Sequence, residues 1–249
     1  MNDPKSISVL LRQLLDNALA SSFAELEVKF CAVKNGNFMN GISKSEFDAL
    51  FAWLNSSTCW RDVRHNEYVD YSFKNNIRGS GGLFDDRTHF ITKKTRRHVD
   101  FSCTPQLGLR VSLKTEVPTS LGLGRDIGTY ESVRVKQRSS FVYKCWSFDL
   151  TRVWTGANPV AALCSKPHST SDLLNLKLPL TRDREPDSYE VELEFLTQWK
   201  SEEPENNSQL LDSFLLRIKE IATRLGFSPD KDTFRLLRDI NFESEAKKP

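Results

Sequence analysis

The sequence predicts a mainly β, α+β protein: a closed antiparallel eight-stranded β-barrel with flanking helices. Three observations carry this. About eight segments between residues 23 and 196 alternate polar and apolar side chains at period two, with no helices interleaved in a βαβ rhythm. Amphipathic helices stand at both ends of that series, and their apolar stripes need a surface to cover. The polar strand faces are dense in charge, whereas a solvated sheet face carries scattered Ser, Thr and Gln. If the helices cover the apolar faces from outside, the charged faces must point inward, into a wet lumen. The expectation is a single domain over 1–249, with strands at about 23–196, an N-terminal helix at 6–20 and C-terminal helices across 209–239.

Each element has its own signal. Residues 6–20 place Ile7, Leu10, Leu11, Leu14, Leu15 and Ala18 on one helical face. In the strand 24–32, Glu25, Glu27 and Lys29 oppose Leu26, Val28 and Phe30, and the turn-rich residues 35–41 end it. Ser43 or Ser45 caps a short helix at 46–54 with Phe47, Leu50, Phe51 and Leu54 as its stripe. Residues 65–78 read as one strand, with Asp70, Lys74 and Arg78 on its polar face. Gly79-Ser-Gly-Gly82 interrupts it, and a strand at 88–97 leads into a basic run. In 107–117, Arg110, Ser112, Lys114 and Glu116 oppose Leu109, Val111 and Leu113. The Gly-rich residues 121–128 lack a following Gly-Lys-Ser/Thr and a following helix, so they read as a connection and not a phosphate loop.

The strand 131–143 sets Arg134, Lys136 and Arg138 against Val133, Val135 and Gln137. In 144–154, Ser147, Asp149 and Thr151 oppose Trp146, Phe148 and Leu150. Residues 156–188, with four prolines among polar residues, read as a long excursion. The strand 189–195 carries Glu190, Glu192 and Glu194 on one face. After a polar linker at 201–208, a strong amphipathic helix at 210–225 stops at Gly226, and a shorter helix is expected at about 231–239.

Composition narrows the function classes. The 249 residues are 39% hydrophobic and 27% charged with a net charge of +2, so no global basic field binds nucleic acid indiscriminately. The 5 cysteines, Cys31, Cys59, Cys103, Cys145 and Cys164, show no Cys-x-x-Cys, and the 4 histidines lack zinc-finger spacing. Reduced thiols in a soluble intracellular protein are expected. No apolar run approaches the roughly 20 residues of a membrane span, and there is no signal-peptide core.

The strand 189–195 poses the chemical question. Three glutamates on one strand face sit about 6–7 Å apart and repel unless cations lie between them. A second acidic strand, Glu25-Leu-Glu27, stands at the other end of the series, and basic strands lie in the middle. Glutamates from two strands supply hard oxygen ligands for Mg²⁺ or Mn²⁺. Arg and Lys on the other strands match the oxygens of a phosphate chain. The substrate this inventory fits is a triphosphate or polyphosphate end.

Glu25-Leu-Glu-Val-Lys29, Arg134-Val-Lys-Gln-Arg138 and Glu190-Val-Glu-Leu-Glu194, in that order, resemble the triphosphate tunnel metalloenzyme superfamily. Within it the similarity is to the metal-dependent RNA 5′-triphosphatases of fungal and protozoan mRNA capping, the kinetoplastid forms in compactness. The resemblance implies Glu25, Glu27 and Glu194 as ligands of Mg²⁺ or Mn²⁺, with Glu192 bracing basic neighbours. It implies Arg134, Lys136 and Arg138 as phosphate ligands, and Asp149 as the partner of a basic residue or of water. Arg110 and Glu116 match a strand that supplies a phosphate-binding Arg and a catalytic glutamate; Glu116 or Glu190 orients the water. Arg78 is the basic residue of an earlier strand. Parity does not choose between Lys93 and Lys94, and Lys94 is taken as the phosphate ligand.

The implied activity is removal of the γ-phosphate from triphosphate-ended pre-mRNA, the first step of 5′ capping, with Mn²⁺-dependent hydrolysis of free NTP beside it. Implied partners are triphosphate-ended RNA, NTP and a capping guanylyltransferase; no membrane is involved, and a homo-oligomer is left open. A nuclear location follows, although the basic run at 93–97 is free to be read as an import signal only if it does not form a tunnel wall. The same tunnel could instead serve inorganic triphosphate, thiamine triphosphate or ATP cyclisation. A module that binds polyphosphate without cleaving it is the non-enzymatic alternative.

Overall fold

A computed structural model describes residues 4–82, 89–119, 130–157, 184–196, 207–227 and 235–241. Its elements are α1 (Pro4–Leu19), β1 (Ala24–Lys34), β2 (Asn37–Phe38), α2 (Lys44–Ser56), β3 (Asp62–Ser72), β4 (Ile77–Gly82) and β5 (His89–Ser102), followed by β6 (Leu107–Pro118), β7 (Ser132–Tyr143), β8 (Trp146–Gly156), β9 (Ser188–Phe195), α3 (Asn207–Arg224) and β10 (Arg235–Asn241). Every strand pairing is antiparallel. The order β5-β4-β3-β7-β8-β9-β1 is closed by β6, which pairs with both β1 and β5. The result is the expected closed eight-stranded barrel. No helix among the described residues is long and apolar enough to cross a membrane.

The hydrophobic core is a sheath around this barrel. Leu26, Val28 and Phe30 of β1, Leu109, Val111 and Leu113 of β6, and Val191 and Leu193 of β9 turn outward into one cluster with the helices. Leu11, Leu14, Leu15 and Ala18 of α1 are buried there, as the helical spacing requires. Ser43 caps α2 reciprocally: its Oγ accepts from the Glu46 amide, and its own amide donates to Glu46 Oε2 at 2.9 Å. In α3, Phe214 stacks on Trp146 at 4.9 Å, and the Trp146 indole donates to Ser213 Oγ at 3.0 Å. Gly226, at φ +85, ends α3 in the left-handed conformation favoured after a helix. With the apolar faces outward, the charged faces have only the lumen.

The structure corrects several boundaries. Residues 65–78 are not one strand. They make a hairpin of β3 and β4 around a 3-10 turn at Lys74–Asn76, where Asn76 takes φ +59. Arg78 therefore sits on β4. The helix expected at about 231–239 is contradicted by β10, which pairs Arg235–Asn241 with residues 97–102 of β5. Its apolar residues suit either period, and the edge of β5 beyond the reach of β4 offers backbone partners that decide the matter. β5 also runs on to Ser102, with a bulge between Thr95 and Arg97 that shifts its register against β6. The Gly-rich connection, Cys164, and most of the 156–188 excursion and of the 201–208 linker lie outside the described residues.

Candidate active site

The lumen is lined by a ring of paired charges built from alternate residues of each strand. On β1, Glu25, Glu27 and Lys29 face inward, opposite Lys114, Ser112 and Arg110 of β6. On the other side of β1, Glu27 and Lys29 stand opposite Glu194 and Glu192 of β9. Lys93 of β5 reaches both oxygens of Glu25, at 3.0 and 2.9 Å, and also pairs with Glu116. Lys114 pairs with Glu27, and Lys29 with Glu192 at 2.7 Å. Arg138 spans the next sector, donating to Asp149 at 3.1 Å, Glu192 at 3.2 Å and Thr151 at 3.1 Å. Arg134 binds Glu190 at 2.6 Å. Lys136 meets Asp70 at 2.5 Å, and Arg78 approaches the same carboxylate at 3.8 Å, which completes the circuit.

Most expected site residues are brought together. Lys94 is the exception: it is exposed on the outer face, opposite Thr115, while Lys93 stands opposite Glu116 and fills the lumen position. The bulge explains why parity could not choose, since Lys93 before it and His98 and Asp100 after it all face the lumen side. Arg110, expected as a phosphate ligand, forms a two-pronged bond to buried Asp100 at 2.8 and 3.0 Å. The basic run at 93–97 is a barrel strand and not an exposed import peptide. Sequence reasoning gave no role to Lys29, Lys114, Asp70 or Tyr68. The first three share strand parity with named residues, which was the available signal. Tyr68 was hidden because a tyrosine on a strand reads as packing; here its ring lies 5.6 Å from Lys136 Nζ and 5.8 Å from the Arg138 guanidinium.

Electrostatics divides the glutamates. Burial, then the Asp149 and Glu25 carboxylates, push Glu194 well above the ordinary carboxylate range, although it keeps some exposure at the tunnel opening. Burial, then Glu192, also raise Glu27 against the pull of Lys114 and Lys29. Glu192 is equally buried, but Lys29 and Arg138 hold it well below the usual range. Glu116 is lowered as well: its hydrogen bond with Glu25 and the charge of Lys93 outweigh burial.

A divalent cation fits this donor set in kind. Among the described residues Glu194 has no Lys or Arg ion pair, and Glu27 Oε1 is buried without a hydrogen bond although Lys29 and Lys114 lie beside it. No three His, Cys, Asp or Glu side chains among the described residues already converge as a ligand shell. Glu25 and Glu27 are held by lysines, which would have to yield as a cation enters.

Burial, opposed by Asp70 and reinforced by Arg134, Arg138 and Arg78, drops Lys136 to about 8. Its charge is lost from the free protein as pH rises through about 8. The expected outcome is a KM for triphosphate substrate that rises between pH 7 and 9, and a flatter profile for Lys136→Arg. Steady-state kinetics across that range checks it; identical profiles would exclude Lys136 as the cause. The stability effect has the opposite sense. Between about 8 and the ordinary lysine value of 10.5 the unfolded chain binds the extra proton, so this group favours the folded state increasingly as pH rises.

A closed antiparallel barrel whose lumen carries opposed acidic strands and a basic wall defines a triphosphate tunnel. The family model for "mRNA capping enzyme, beta chain" matches residues 73–221, and the chain belongs to that family, the RNA 5′-triphosphatases of mRNA capping. The Schizosaccharomyces pombe Pct1 RNA triphosphatase is similar in fold, with a TM-score of 0.59 at 17% identity, covering 90% of this chain and 93% of that one. The RNA triphosphatase domain of the mimivirus mRNA capping enzyme aligns with a TM-score of 0.55 at 17% identity, over 87% of this chain and 96% of that one. A comparison with curated proteins gave no match.

Proposed function

We propose that the chain hydrolyses the β–γ anhydride of triphosphate-ended pre-mRNA in a Mg²⁺- or Mn²⁺-dependent reaction, and also hydrolyses free NTP when Mn²⁺ is supplied. Water adds to the γ-phosphorus and the bond to the bridging oxygen breaks, giving a diphosphate end and orthophosphate. The observation that carries the metal dependence is Glu194 beside Glu27, two enclosed carboxylates on paired strands that both sit above their ordinary range. Glu25, Glu27 and Glu194 would hold the cation, which supplies neutralisation of charge on the phosphoryl oxygens.

The chain's own residues do the rest. Arg134, Lys136, Arg138, Arg78 and Lys93 neutralise and orient the phosphates. Glu192 holds Lys29 and Arg138 in place, Asp149 holds Arg138, and Glu190 holds Arg134. Glu116 stays ionised and serves as the acceptor that orients water.

Release of γ-phosphate from triphosphate-ended RNA, beside ATP, inorganic triphosphate and thiamine triphosphate, tests the reading. RNA should be the best substrate, ATP hydrolysis should need Mn²⁺, and a chelator should abolish both. Turnover unchanged by chelation would sink the metal assignment. The reading also carries a nuclear location and a capping guanylyltransferase as partner, since the diphosphate end is that enzyme's acceptor. Imaging and co-purification test these; a purely cytoplasmic pool would overturn the location.

A further inference from the structure

The three inward cations of β7 are not equally compensated. Arg134 has Glu190, and Arg138 has both Asp149 and Glu192. Lys136, between them, has Asp70 of β3 as its ion pair among the described residues. That carboxylate is shared, since Arg78 of β4 approaches it at 3.8 Å and Ser80 Oγ donates to it at 2.5 Å. The other charges that face Lys136 are cations: Arg134, Arg138 and Arg78. On the β8 side its register partner is Val153, which carries no charge. A buried ammonium among three guanidiniums needs further stabilisation to stay charged.

Tyr68 stands directly opposite Lys136 across the β3–β7 seam. Its ring centroid is 5.6 Å from Lys136 Nζ and 5.8 Å from the guanidinium carbon of Arg138, inside the roughly 6 Å reach of a cation–π contact. The residue lines the same cavity as Arg138, Asp149 and Glu194. Burial, opposed by Arg138, pushes its phenol above the ordinary value, so the side chain stays neutral. A carboxylate in this place would compensate the lysine more strongly, but it would also repel a phosphate chain. An aromatic face attracts cations through its quadrupole and carries no net charge.

We propose that Tyr68 is a positioning residue for the triphosphate: its ring holds Lys136 and Arg138 side by side, and Lys136 charged, without setting an anion in the path of the phosphates. This rests on the reading of both cations as phosphate ligands. The ring acts on the charged form of the lysine and so works against burial, the largest cause of its drop to about 8. The hydroxyl has no part in this, which separates the proposal from a direct hydrogen bond between Tyr68 and a phosphate.

Steady-state kinetics with triphosphate-ended RNA and the wild-type metal, followed from neutral to alkaline pH, tests the ring. Tyr68→Leu and Tyr68→Met, two variants without one, should raise KM about fivefold with kcat within about twofold. In both, the rise of KM with pH should begin about half a unit lower than in wild type. Tyr68→Phe should restore KM and its pH profile, because it keeps the ring. A Phe variant as impaired as the ring-free pair would move the role to the hydroxyl and overturn the proposal. Ring-free variants that lose kcat with an unmoved pH profile would mark a merely structural role and overturn it too. Lys136→Ala with a wild-type KM would instead overturn the phosphate reading of Lys136 on which the proposal rests.

Discussion

Glu194→Ala should lower release of the γ-phosphate at least about a hundredfold while the barrel stays folded. Glu194 stands opposite Glu27 across the β1–β9 seam and has no basic ion-pair partner among the described residues, so its loss leaves no stranded cation. Its contribution to stability has a definite sign. Its native pKa is raised above 4.5, so the stability attached to it is full below pH 4.5 and is lost as pH rises towards the native value. In metal-free solution at neutral pH, Glu194→Gln should therefore melt higher than wild type. Adding Mg²⁺ or Mn²⁺ should raise the melting temperature of wild type and leave that of the Gln variant almost unmoved. Thermal melts with and without metal, beside phosphate release, check both halves. Near-wild-type turnover by the Ala variant in Mn²⁺ would refute the tunnel site as described.

Arg138→Ala should be the most damaging change on the basic wall. The guanidinium bonds Asp149, Glu192 and Thr151 and lies beside the Tyr68 ring, so removing it leaves buried Asp149 without a basic partner among the described residues and Glu192 with Lys29 alone. Breaking a buried charge network in this way costs about 3–5 kcal/mol of stability. Loss of an electrostatic donor at the phosphates adds about a hundredfold in kcat/KM. Arg138→Lys should fall between, because lysine keeps the charge but not the fork that bridges two acids. Lys94→Ala, on the exposed outer face, should change stability by no more than about 0.5 kcal/mol and leave turnover alone. Urea unfolding and phosphate release on the variants decide it. A severe Lys94→Ala beside a mild Arg138→Ala would mean that the lumen is lined differently.

What could be read without coordinates was whatever depends on neighbours in the chain. The alternation of Glu25 and Glu27 with Leu26 and Val28, and of Arg134, Lys136 and Arg138 with Val133 and Val135, is a local property of a pleated strand. The helical stripes of α1 and α3 are equally local, and together they force the charged faces inward. The Lys74–Asn76 turn was marked by paired asparagines, a signal present but not used. Lys93 against Lys94 was different in kind. Parity counts from a fixed reference, and the bulge at Thr95–Arg97 resets it within the same strand.

The sequence by itself determined that the protein is a barrel with a charged interior, and which strands carry its acids and its bases. Those follow from the two- and 3.6-residue periods, which are set by backbone geometry over a few residues. Only the tertiary structure decided who pairs with whom: Arg110 with Asp100, Arg138 between Asp149 and Glu192, Glu194 with no basic partner among the described residues, and β10 on the spare edge of β5. Those pairings depend on which strands become neighbours when the barrel closes, and residues far apart in the chain meet across that ring without any local pattern to announce it.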